Sequence, residues 1–170
     1  MVAPALLDAF DAFMAARKRV VSADVPQRWT AGLIEHERIA KWPLEIDGEL
    51  RGAQLAVIGF PRERELMFRV GILFPAMICR LDYTDEVHSN TARIAEDRVP
   101  PMIRGPHYHS WRLNRRFFKG VTQIPRLHNA ESYGRTNSFD SALRWFCAET
   151  NIESLPASHR VELPFLERFL

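Results

Sequence analysis

The chain has 170 residues, of which 46% are hydrophobic and 26% charged, the composition of an ordinary soluble domain with enough apolar material for a sizeable core. No apolar run approaches the roughly 20 residues that a membrane-spanning helix needs. Asp8 and Asp11 interrupt the N-terminal apolar stretch and argue against a signal peptide. A single domain over 1–170, working in the cytoplasm without a membrane partner, is therefore expected. Its two cysteines, Cys79 and Cys147, sit among apolar neighbours and read as buried thiols in a reducing compartment. The net charge of +2 conceals an asymmetry. Residues 98–130 hold seven Lys or Arg and no acid, whereas the remainder holds 16 basic and 21 acidic residues.

In chain order, Leu6, Phe10, Phe13 and Arg17 recur at helical spacing and predict an amphipathic helix over 3–19, with Arg17-Lys18-Arg19 at its negative end. From about Thr30 to Asp82 the pattern changes to short apolar runs separated by turn signals. Leu44 to Ile46 leads into the tight-turn pair Asp47-Gly48. Runs at 53–60, 66–73 and 76–83 follow, and together they predict an antiparallel meander. Period two on the last run puts Met77, Cys79, Leu81 and Tyr83 on one face and Ile78, Arg80 and Asp82 on the other. Residues 84–104 show no period and read as loop. Residues 107–113 read as a further strand that aims His107, His109 and Trp111 the same way. Phe139, Leu143, Phe146 and Cys147 predict a helix over about 138–150, capped by Asn137 with Asp140 three residues on, and stopped near Asn151. The apolar tail from Val161 to Leu170 is expected to dock on the body or on a partner. The fold class expected is α+β: an antiparallel sheet of about five strands, an N-terminal helix and a helix near the C-terminus.

The residues suited to chemistry are Arg80, Asp82, His107 and His109, which converge if the strands at 76–83 and 107–113 are neighbours. His88 and Arg104 flank the intervening loop and are placed to close over them. Two imidazoles suit the proton transfers of phosphodiester cleavage by a 2′-hydroxyl near neutral pH. In that reading Arg80 or Arg104 stabilises the phosphoryl charge and Asp82 orients one imidazole. Arg104, Arg112, Arg115, Arg116, Lys119, Arg126 and Trp111 then hold single-stranded nucleic acid by charge and stacking. A second reading makes His107 and His109 metal ligands, completed by Asp82 or His88, with the surrounding arginines opposing a bound cation. A third reading has the basic surface bind nucleic acid or an acidic partner without chemistry.

Arg80-Leu81-Asp82, His88-Ser89-Asn90, Pro106-His107-Tyr108-His109 and a helix ending near Asn151-Ile152 resemble small bacterial and phage-borne domains of unknown function with an Arg-x-Asp strand end and a later His-x-His. More distantly, the pattern is similar to the TumE-type toxins of toxin–antitoxin modules. The resemblance spans residues 76–152. It implies a mobile-element or defence setting and a toxin role directed at nucleic acid. It carries over to Arg80, Asp82, His88, Asn90, His107 and His109. Arg93 and Ala95 to Asp97 depart from it, standing where a short glycine-bearing turn is expected. The function expected is a metal-independent ribonuclease of toxin type, with no cofactor, RNA as partner, and an antitoxin or target complex as possible protein partner. The alternative is a non-enzymatic inhibitor or binding module presenting an Arg-rich surface.

Overall fold

The computed structural model describes residues 4–21, 28–34, 36–61, 66–74, 76–118, 127–134, 138–153 and 163. The expectations for Lys119, Arg126, the Asn137 cap and nearly all of the apolar tail lie outside these residues.

Helix α1 (Pro4–Ala15) buries Phe10 and Phe13. It ends sooner than helical periodicity suggests, because the residues after it are recruited by other elements. Lys18 forms a parallel bridge with Ile152, and β1 (Arg19–Val20) joins the sheet edge. Next come β2 (Thr30–Ala31), β3 (Arg38–Ile46) and β4 (Glu49–Gly59). The β3–β4 hairpin turns at Asp47-Gly48, whose φ values of 52° and 80° are those of a primed two-residue turn, where glycine is at ease. Strands β5 (Phe68–Phe74) and β6 (Ala76–Tyr83) complete the expected meander.

Residues 84–104 are more ordered than their lack of period suggests. They form a separate two-stranded ladder, β7 (Val87–Ser89) with β8 (Met102–Arg104), around a 3-10 turn at Ala95–Asp97. The chain then returns to the main sheet, where β9 (His107–His109) pairs with β6 and β10 (Glu131–Ser132) pairs with β9. The sheet therefore has eight strands, more than the five expected, in the order β1-β3-β4-β5-β6-β9-β10 with β2 also on β3. The α+β class stands.

The strand expected over 107–113 stops at His109. Ser110 accepts a bond from the Leu113 amide at 3.3 Å and caps the short helix α2 (Trp111–Asn114). This cap replaces period two with a helical turn, so Trp111 leaves the histidine face. Helix α3 (Phe139–Glu149) is capped by Ser138, and Asn151 at φ 54° terminates it. Asp140 pairs with Arg144 one turn on, at 2.8 Å.

The core lies between one sheet face and α1 with α3. Phe68 stacks on Tyr83 at 4.7 Å and meets Phe139 edge-on, while Tyr108 packs on Trp145 and Phe146. Each such fully buried apolar side chain contributes about 1.5–3 kcal/mol. Among the described residues no helix is long and apolar enough to cross a membrane.

Candidate functional site

The opposite sheet face carries the chemistry. Register pairs Arg80 with His109 and Asp82 with His107, which places all four side chains together. The Arg80 guanidinium grips Asp82 through both carboxylate oxygens, at 2.5 and 2.6 Å. The same Oδ2 stands 3.5 Å from His107 Nε2 and 3.6 Å from His109 Nε2. His88, carried by β7, lies over the pair, stacked on the His107 ring at 5.1 Å and edge-on to His109 at 4.6 Å. A ring nitrogen from each of the three histidines falls within 4.8 Å of the others. Arg80, Asp82, His88, His107 and His109 thus form one cluster. It is enclosed: Asp82, His107 and His109 are each 2% exposed or less, and His88 is half-buried.

Backbone carbonyls fix the imidazole orientations. His107 Nδ1 donates to Gly105 O at 2.8 Å, His109 Nδ1 to Asn129 O at 3.1 Å, and His88 Nε2 to His128 O at 3.1 Å. A carbonyl only accepts, so each of these nitrogens carries the proton, and the other nitrogen of a neutral ring presents a lone pair. Gly105 sits at φ 82°, a conformation that L side chains seldom adopt, and this turn aims its carbonyl at His107.

The electrostatics follow from burial. Desolvation pushes the His109 pKa below its ordinary value, and the nearby Asp82 only partly opposes this. Desolvation and the two neighbouring imidazoles also lower His88. Burial by itself would raise Asp82, but hydrogen bonds from His107 and His109, given by the Nε2–H of a ring that is protonated on both nitrogens, and the Arg80 guanidinium hold it well below the usual carboxylate range. The His109 Nε2 is left buried without a hydrogen-bond partner.

Of the residues that support the cluster, Asn90 belongs to the His88-Ser89-Asn90 motif, whereas Arg69 and Asn114 carry no sequence motif. Arg69 pairs in register with Asp82, approaches its Oδ1 to 3.7 Å, and is itself held by Glu37 and Glu86. Its alternation within the 66–73 run is a readable signal, but only once the register is known. Asn90 bridges Pro100 O and Ala130 O and accepts from the Ala130 amide. Asn114 donates to Asn129 O and accepts from its amide. These two asparagines hold the 128–130 segment whose carbonyls orient His88 and His109.

The residues expected to hold nucleic acid are dispersed. Trp111 is 8% exposed, donates to Asp11 Oδ1 at 2.8 Å and packs on Phe10 and Phe118, so its ring belongs to the core and does not offer a stacking platform. Arg115 pairs with Asp11 and Arg116 with Asp97, so acids from outside the 98–130 stretch neutralise both. Arg104 and Arg112 are exposed, and among the described residues no hydrogen bond or ion pair joins either to the cluster.

No family model, curated protein or solved structure matches this chain. The geometry of the cluster is therefore the ground for any functional reading.

Proposed function

We propose that the chain is an RNA-cleaving enzyme of toxin type, acting in the cytoplasm, with its catalytic centre at Arg80, Asp82, His88, His107 and His109. The observation that carries this reading is the convergence of three imidazoles and a carboxylate beside a partly exposed guanidinium, 29% accessible at Arg80. His88 is the most accessible of the three rings, and its lowered pKa leaves it neutral near pH 7, the form that accepts a proton. In the metal-free form of the reaction it takes the proton of the attacking 2′-hydroxyl. The 2′-oxygen then bonds to phosphorus as the bond to the 5′-oxygen breaks, and that oxygen takes the Nε2 proton of the imidazolium form of His107, which Asp82 stabilises. Arg80 stabilises the charge on the phosphoryl oxygens.

The binding reading draws less support, because two of its arginines are engaged by Asp11 and Asp97. Incubating the purified chain with structured and unstructured RNA, with and without added divalent metal, tests the enzyme. Cleavage is expected, with His88→Ala and His107→Ala lowering it at least about 100-fold, the scale of a lost acid–base group. No cleavage of any RNA under either condition would sink the nuclease.

A further inference from the structure

We propose that the histidine cluster is a binding site for one divalent transition-metal ion of the zinc type, held by His88, His107 and His109 with Asp82 beside two of the rings. This step goes beyond the nuclease reading and would replace its metal-free form.

Three observations carry it. First, the carbonyl bonds of Gly105, His128 and Asn129 put the ring protons on the outer nitrogens and leave the inner ones as lone-pair donors. This is the outer support that metal-bound histidines receive, with ring orientation and tautomer fixed by an acceptor. Second, the Nε2 atoms of His107 and His109 converge on one carboxylate oxygen, Asp82 Oδ2, which Arg80 holds from its other side at 2.6 Å. His109 Nε2 is buried without a hydrogen-bond partner, a nitrogen donor atom that an ion would engage. Third, the donors are near enough to converge. Tetrahedral bonds of about 2.0–2.1 Å separate neighbouring donors by about 3.3–3.4 Å. One ring nitrogen of each histidine lies within 4.8 Å of the others, and Asp82 Oδ2 stands 3.5 and 3.6 Å from two of them, so modest side-chain rotation draws the rings onto an ion.

Arginine opposes the ion less than the number of guanidinia suggests. Arg80 is matched by Asp82, and Arg69 by Glu37 and Glu86, so both guanidinia enter as neutralised pairs. Arg80 also pins the carboxylate in its ionised form. Three imidazole nitrogens favour zinc or its tetrahedral substitutes over magnesium or calcium, which prefer all-oxygen shells.

Cobalt is the probe. The full chain, stripped with chelator and titrated with Co2+, is expected to bind one ion with the intense visible absorption of tetrahedral cobalt. Zn2+ should displace it, and His88→Ala and His107→Ala should abolish it, whereas His36→Ala should not. Cobalt that stays in its aquo form, or a signal that survives both cluster substitutions, overturns the site. If a variant fails to fold, nitrogen-15 shifts of the unmodified chain decide: Zn2+ should move the inner nitrogens of the three rings, and no movement overturns the proposal. Bound cobalt without RNA cleavage in any metal state would sink the nuclease and leave the metal centre standing. Full cleavage by chelator-treated protein that binds no ion would do the reverse.

Discussion

At the scale of single residues, Asp97 shows how support for the cluster is built from ordinary ion pairs. Its carboxylate receives Arg116 at 2.8 and 2.5 Å, the Ile94 amide at 2.9 Å and the Asn129 side chain at 3.1 Å. Arg116 is the main reason its pKa falls to about 2, and the Ile94 amide adds to it. A carboxyl that is more acidic in the folded state stabilises the fold fully above its unfolded value near 3.8. That contribution fades as pH falls toward about 2, because the folded state must then take up a proton it disfavours. Asp97→Asn is expected to cost on the order of 1–2 kcal/mol at pH 7, discounted for the partly exposed Arg116. In urea unfolding, the gap from the unsubstituted chain should narrow between pH 4 and pH 2. A gap independent of pH would show that the pair contributes nothing by charge.

Much of this residue-scale chemistry is legible in the sequence. Period two on 76–83 puts Arg80 and Asp82 on one face, and a His-x-His strand puts two imidazoles on one face. What is not legible is the state of those imidazoles. That depends on the carbonyls of Gly105, His128 and Asn129, and a backbone acceptor leaves no mark in the side-chain pattern.

At the scale of elements, Lys18 joins the two long helices. It is 0% exposed, and its ammonium donates to Met14 O at 3.1 Å, Ala16 O at 2.7 Å and Thr150 O at 2.9 Å. Three donors meet three acceptors where α1 and α3 both end, so one charge serves two helix C-termini. Burial pulls its pKa down to about 8. Lys18→Met removes the charge and takes the donor from Ala16 O and Thr150 O, while Met14 O keeps Asn151 Nδ2 at 3.2 Å. A loss of about 2–4 kcal/mol is expected in urea denaturation. Lys18→Arg should not restore it, because a planar fork does not match three acceptors around a point charge. A neutral outcome for Lys18→Met would mean that water replaces the ammonium. The basic run Arg17-Lys18-Arg19 signals a helix end from sequence alone. Thr150 could not be foreseen, because the Lys18↔Ile152 bridge joins segments at opposite ends of the chain.

At the scale of the whole molecule, the meander from β3 to β6 was readable because its turns are local: Asp47-Gly48 and the breaks near 61–64 and 74–75 each join strands adjacent in sequence. The strand count was underestimated because β1, β2 and β10 are two residues long, too short to show a period. The basic stretch also changes meaning in three dimensions. The chain answers Arg115 and Arg116 with acids from α1 and from the 3-10 turn, so linear charge overstated the cationic surface.

The order in which the chain closes its pocket bears on how fast it opens. Asp82 lies in the meander, whereas His107 and His109 reach it through the β6–β9 pairing and the 128–129 carbonyls come from still farther along the chain. Local hairpins form early and distant strand pairings late. An ion gripped by all of these parts would act on the native state after the folding barrier has been crossed. Zn2+ should therefore leave the refolding arm of a stopped-flow chevron unchanged and slow the unfolding arm, making the bound ion a brake on loss of structure. A faster refolding arm would show instead that the pocket is already assembled at the barrier.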